Sequence, residues 1–122
     1  MKKILVVDDE ENICRLYREE LEEMGYEVTT VLDGGSAIAA MEKSRYDLVT
    51  LDMRMKGMDG IETKGALRQV DQNIRIIASS GLRRPASEAG RFDDVNGFLP
   101  KPYSDEQLLR LVRHVLDAKA NS

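Results

Sequence analysis

The chain has 122 residues, 33% of them charged and 42% hydrophobic, with 18 basic and 22 acidic side chains giving a formal net charge of -4. Such a length and balance suit one globular domain over residues 1–122 rather than a disordered or fibrous chain, and the acidic excess gives no electrostatic reason to expect direct nucleic-acid or anionic-membrane binding. No apolar run approaches the roughly 20 residues that span a bilayer, and the single Cys14 has no partner for an internal disulfide, so a reducing cytoplasm is the expected setting.

Lys3-Ile4-Leu5-Val6-Val7 is a short, nearly continuous apolar run, the pattern of a strand covered on both faces in a parallel sheet. It leads directly into Asp8, Asp9, Glu10 and Glu11. Ile13, Leu16, Tyr17, Leu21 and Met24 recur at helical spacing, and Gly25 follows where a helix C-terminus commonly places a glycine. Glu27 to Val31 is predicted as the second strand, Gly35 to Lys43 as the second helix and Asp47 to Leu51 as the third strand. A third helix follows Asp59; Gly65 inside it costs about 1 kcal/mol relative to alanine, and no motif accounts for it.

Ile74 to Ala78 is the fourth predicted strand. Pro85 opens a short fourth helix reaching about Phe92, which Gly90 weakens. Gly97 to Leu99 is a short fifth strand before Lys101-Pro102. Ser104 and Gln107 form a capping box for a last helix with Leu108, Leu111, Val112 and Val115 on one face. Five strands alternating with five helices predict an α/β fold with a doubly wound parallel sheet, helices on both faces, and functional loops at the carboxyl ends of the strands. There is no internal repeat, low-complexity segment or linker.

Asp8 and Asp9 end the first strand and Asp52 ends the third. In a flavodoxin-like strand order those ends are neighbours, and three carboxylates converge on one crevice. Like charges so close raise pKa values or require a cation. Mg2+, a hard ion that takes oxygen ligands, answers that need and keeps positions open for water and phosphate oxygens. Singly, Asp8 and Asp9 read as caps of the first helix and Asp52 as the start of a loop. Together with Ser80 at the end of the fourth strand and Lys101 at the end of the fifth, they make a phosphoryl-transfer rim.

The segments ILVVDDE, LVTLDMRMKGMDG, Ser80-Gly81 and FLPKPYS, in that order and across essentially the whole chain, resemble the receiver domain of two-component response regulators. Asp52 precedes Ser80 by 28 residues and Lys101 by 49, spacings similar to the family's. The resemblance implies the five-stranded (βα)5 receiver fold with strand order 2-1-3-4-5. It implies that Asp52 accepts a phosphoryl group from a sensor histidine kinase or a histidine phosphotransfer protein, with small acyl phosphates as further donors. It implies Mg2+ held by the side chains of Asp9 and Asp52 and the backbone carbonyl of Arg54, with Asp8 acting through water. Ser80, Gly81 and Lys101 would then bind the phosphoryl oxygens. Ser80 and Phe98 would form the switch that signals to a downstream protein or output domain, and Lys101-Pro102 a cis peptide. Such a domain catalyses only its own phosphorylation and dephosphorylation.

Some residues depart from the family pattern. Met55-Lys56-Gly57 stands where a proline commonly follows the methionine, and Arg54 and Leu82 bring bulk to positions that border the attacking water. Ile13, Cys14, Tyr17, Pro102 and Tyr103 are candidates for docking a phosphotransfer helix, although Ile13 and Tyr17 also suit a core. Arg83, Arg84 and Arg91 with Arg110 and Arg113 are candidates for a basic output face, and the fourth and fifth helices for a dimer face. His114 reads as structural.

Three other functions fit parts of the pattern. A flavin-binding protein shares the fold class, but Asp-Asp-Glu-Glu in its phosphate loop repels phosphate. An aspartate-nucleophile phosphohydrolase uses a second aspartate where Arg54 stands. A docking module that is never phosphorylated has no need of the full site. Met1 directly before the first strand suggests a free-standing or N-terminal receiver, while FLPKPYSDEQLL also resembles receivers fused to hybrid kinases.

Overall fold

The computed structural model describes residues 1–54, 60–80, 95–100 and 103–118. In chain order these form β1 (Lys3–Val7), α1 (Glu11–Glu23), β2 (Glu27–Val31), α2 (Gly34–Lys43), β3 (Leu48–Asp52), α3 (Gly60–Val70), β4 (Arg75–Ser80), β5 (Gly97–Pro100) and α4 (Asp105–Asp117). The predicted helix from Pro85 to Phe92 lies outside the described residues.

The five strands make one sheet in the order β2-β1-β3-β4-β5, with every pair parallel. Alternation along the strands divides the core into two layers. Ile4, Val6, Leu48, Ile77 and Leu99 face α1 and α4, where Leu21, Leu108, Val112 and Val115 cover them. Leu5, Val7, Val49, Leu51, Ile76 and Ala78 face α2 and α3, which supply Ala37, Met41 and Leu67. Because both faces are covered, the strands read as continuous apolar runs. Each fully buried Leu, Ile or Val contributes about 1.5–3 kcal/mol by leaving water.

The Lys3 N–H donates to Asp47 Oδ2 at 2.8 Å, and the Asp47 N–H donates to the Lys3 carbonyl at 2.8 Å. This reciprocal pair pins the starts of β1 and β3 at one level. A slip of one residue would turn every buried side chain to the wrong layer.

Local signals bound the elements, Gly25 and the Ser104–Gln107 box as expected and Asp33 in addition. Gly25, at φ +93°, follows α1 in a conformation that favours glycine. Asp33 caps α2 by accepting from the Ser36 N–H at 2.7 Å. Ser104 and Gln107 complete a capping box on α4, at 3.1 and 2.8 Å. Two residues of the predicted α1 stripe depart from it. Leu16 is 53% and Met24 42% exposed, and Cys14, with Tyr17 and Leu21, takes the core-facing positions. No helix among the described residues is long and apolar enough to cross a membrane.

Candidate functional site

The register that begins at Lys3 and Asp47 ends at the acids. Val7 lies beside Leu51, so Asp8 and Asp52 follow at one level on adjacent strands, and alternation turns both toward the α1–α4 layer. Both are buried, at 2% and 5% exposed. A carboxylate taken out of water needs compensating partners. The backbone supplies one to each: the Glu10 N–H donates to Asp8 Oδ1 and the Arg54 N–H donates to Asp52 Oδ1, both at 3.0 Å.

These bonds serve the loops rather than the helix end, because the N-cap residue of α1 is Glu10 and its side chain makes no capping bond. One carboxylate oxygen from each of Asp8, Asp9 and Glu10 lies within 4.8 Å of the other two. An all-oxygen, multiply anionic donor set fits a hard divalent cation such as Mg2+. Glu10 joins this cluster, whereas the sequence offered it only as one member of an acidic run. Arg54 is exposed directly beyond Asp52.

The rim continues through β4 and β5. Ser79 is the register partner of Asp52, and Ser80 that of Pro100, so Lys101 follows the last residue of the edge strand. The Ser80 side chain, Gly81, Lys101 and Pro102 lie outside the described residues, as do the peptide between the last two and Met55, Lys56, Gly57 and Leu82. So do Arg83, Arg84 and Arg91, and with them most of the expected basic face and half of the expected dimer face. Phe98 is half-buried and packs against the α2–α3 layer. Arg110 is exposed and paired with Glu106 at 2.8 Å, and Arg113 and His114 are exposed on the last turns of α4.

The docking candidates separate into two groups. Cys14 is core: it is 4% exposed, and its Sγ donates to the Asp8 carbonyl at 3.3 Å. Burial first, then the Asp8 charge, pushes its thiol up to about 11, so it is a neutral packing group rather than a docking surface. Tyr17, 3% exposed, is also core, and its ring meets that of Tyr103 edge-on with centroids 6.0 Å apart. Ile13 and Tyr103 line an apolar groove between α1 and α4, together with Leu16, Tyr17 and Leu108, and Glu20 and Asp105 border it.

Residues 4–113 match the model of the response regulator receiver domain family. The chain belongs to that family. Along its length it is 34% identical to sporulation initiation phosphotransferase F of Bacillus subtilis, with 98% of each protein covered. It is 35% identical to the alkaline phosphatase synthesis transcriptional regulatory protein PhoP of the same organism, over 94% of this chain and 48% of the relative. It thus spans nearly all of the first relative and about half the length of the second.

Among solved structures, the receiver is similar to the chemotaxis protein CheY4 of Vibrio cholerae, with a TM-score of 0.88 and 30% identity over 94% of this chain and 98% of the other. It is also similar to the response regulator TrrA of Thermotoga maritima, solved in complex with Mg2+ and BeF. There the TM-score is 0.85 and the identity 35%, over 94% and 99% of the two chains. The strand order is the one that the resemblance implied.

Proposed function

We propose that this receiver is a Mg2+-dependent phosphorylation switch whose acceptor is Asp52. The observation that carries this reading is the buried Asp52 carboxylate at the end of β3, level with the buried Asp8 at the end of β1, which itself belongs to the Asp8–Asp9–Glu10 cluster. The donor is a phosphohistidine on a sensor histidine kinase or a phosphotransfer protein. A carboxylate oxygen of Asp52 attacks phosphorus, an O–P bond forms, and the P–N bond breaks with its electron pair leaving on the imidazole.

The side chains of Asp9 and Asp52 and the Arg54 carbonyl would hold the metal, with Asp8 contributing through water. Mg2+, when bound, neutralises charge that spreads over the transferring oxygens. The Arg54 N–H holds one Asp52 oxygen at 3.0 Å and so orients the nucleophile. Lys101 neutralises the phosphoryl group, and the Ser80 hydroxyl and Gly81 N–H bind its oxygens. Ser80 and Phe98 then shift together and alter the face read by a downstream protein or output domain. Moving such an equilibrium from 1:99 to 99:1 takes about 5.5 kcal/mol of differential interaction.

The groove lined by Ile13, Leu16 and Tyr103 receives the donor's helix, which meets Glu20 and Asp105 with basic residues. The switch operates in the cytoplasm.

The test is intact mass after incubation with Mg2+ and acetyl phosphate or phosphoramidate. One phosphoryl increment is expected, absent in Asp52→Asn and in EDTA. No increment in the unmodified chain, even at short times and with a panel of phosphohistidine donors, overturns the reading and favours a docking module.

A further inference from the structure

The layer directly beneath Asp52, on its α1–α4 side, is unexpectedly polar. Thr50 precedes Asp52 by two residues on β3, and Ser79 is its register partner on β4, so alternation turns all three side chains the same way. Leu48 and Ile77, one step further down the same strands, show what that layer otherwise contains. Thr50 and Ser79 are each 2% exposed; among the described residues Thr50 Oγ1 has no hydrogen-bond partner, and Ser79 Oγ has none within 3.5 Å, only a longer approach to the Tyr17 hydroxyl.

A buried hydroxyl without a partner is unfavourable, and in a native core it calls for a role. Across from this pair stand two more hydroxyls. The Tyr17 hydroxyl faces both Ser79 and Tyr103 while its ring meets Tyr103 edge-on, and the Tyr103 hydroxyl lies within the field of Asp8 and Asp52. Tyr17 can donate its O–H to Tyr103 while accepting from Ser79, and both tyrosine rings form part of the groove wall.

We propose that Tyr17 is a positioning residue that couples the state of Asp52 to the shape of the α1–α4 groove through the buried Ser79 and Thr50 hydroxyls. Charge added beside Asp52 turns the Ser79 hydroxyl, and Tyr17 loses the donor it accepts from. The Tyr17–Tyr103 pair then resets, with Leu16 and Leu108 moving beside it. By linkage, an occupant of the groove biases Asp52 in return. This inference rests on Asp52 being the phosphoryl site.

The experiment follows the methyl resonances of Leu16 and Leu108, and the backbone amides of Asp52 and Met53, as Mg2+ and beryllofluoride are added to the whole chain. The unmodified protein should show both sets shifting. In Tyr17→Phe, which keeps the ring, the amides should still shift and the methyl response should be lost. Ser79→Ala and Thr50→Val should weaken that response while raising the thermal midpoint, because each removes a buried hydroxyl without a close partner. They also preserve the test if Tyr17→Phe does not fold.

A methyl response undiminished in these variants overturns the coupling and leaves Asp52 as the acceptor. So does a loss of thermal stability in both hydroxyl deletions with the response intact, which marks the cluster as a structural water site. If the amides of the unmodified chain fail to shift, the phosphoryl-site reading falls first and the coupling with it.

Discussion

Gly60 opens α3 against the backbone of Met53, the residue after Asp52: a Cβ on Gly60 would stand 2.5 Å from Met53 Cα and 2.7 Å from its sulfur. The methionine sulfur can swing aside, but the Cα cannot. Glycine is therefore what lets the third helix begin so close to Asp52, the proposed acceptor. Gly60→Ala is expected to destabilise the fold by roughly 1–3 kcal/mol through overpacking. It should also slow phosphorylation by small donors, because Met53 and Asp52 shift together. Denaturant unfolding and timed intact-mass measurements check both, and an unchanged rate would separate Asp52 from this contact.

Gly65 lies in the interior of the same helix, and a methyl group added there would meet nothing within 4 Å. Alanine gains helix propensity at this position without a clash. Gly65→Ala should stabilise the protein by about 1 kcal/mol and raise its melting temperature by about 4 °C. A lower melting temperature would reveal a contact or motion that needs the glycine.

Two helices depend on side-chain caps whose bonds are short and local. Asp33→Ala releases the Ser36 N–H and Ser104→Ala releases the Gln107 N–H. Each should cost about 1 kcal/mol of stability. Since α2 and α4 lie on opposite faces of the sheet, the double variant should lose the sum to within about 0.5 kcal/mol. Chemical denaturation of the three variants decides this.

Tyr103 carries the clearest pH prediction. Burial is the main cause that pushes its hydroxyl from 10.0 to about 12; a hydrogen bond with Tyr17 opposes it, and the smaller effects of the Asp8, Asp52 and Asp105 charges add to the rise. The folded state thus binds this proton more tightly than the unfolded chain does. Its contribution is complete below pH 10 and is lost as pH rises from 10 to about 12. Urea midpoints should fall over that window, and less steeply in Tyr103→Phe. Equal slopes in the two proteins would remove Tyr103 from the alkaline transition.

What the residues disclose before folding depends on how local the determinant is. β1 and β2 were legible to the residue, β1 because its apolar run meets an abrupt acidic boundary and β2 because β-branched Val28 to Val31 follow the turn at Gly25. The Ser104–Gln107 box and Gly25 were equally plain, being governed by bonds or backbone angles within a few residues. β3 and β4 reach further toward their carboxyl ends than their apolar runs, to Asp52 and Ser80, because the ladder pairing Asp52 with Ser79 extends them. That pairing is a property of two distant segments.

Periodicity likewise marked the α1 stripe without locating its centre. Only the packing of α4 shows that Cys14 is inside while Leu16 borders the groove. Asp8, Asp9 and Asp52 stood out by their sequence positions. The place of Glu10 beside Asp8 and Asp9, and the buried hydroxyls of Thr50 and Ser79, require the third dimension.

The strand order has a mechanical consequence. Asp8 and Asp52 hang from β1 and β3, each flanked by a strand on both sides, whereas β5 lies on an outer margin, paired with β4 alone. Inner strands open to solvent only in the rarest excursions of a domain, and margins fray readily. The two buried carboxylates are thus bolted to the stiffest part of the sheet, while β5, like β2, is a margin able to peel. A ligand that bridges β3 and β5 would act as a clasp from an inner strand to an outer one, and amide exchange along β5 should slow more than along β1 when that clasp closes.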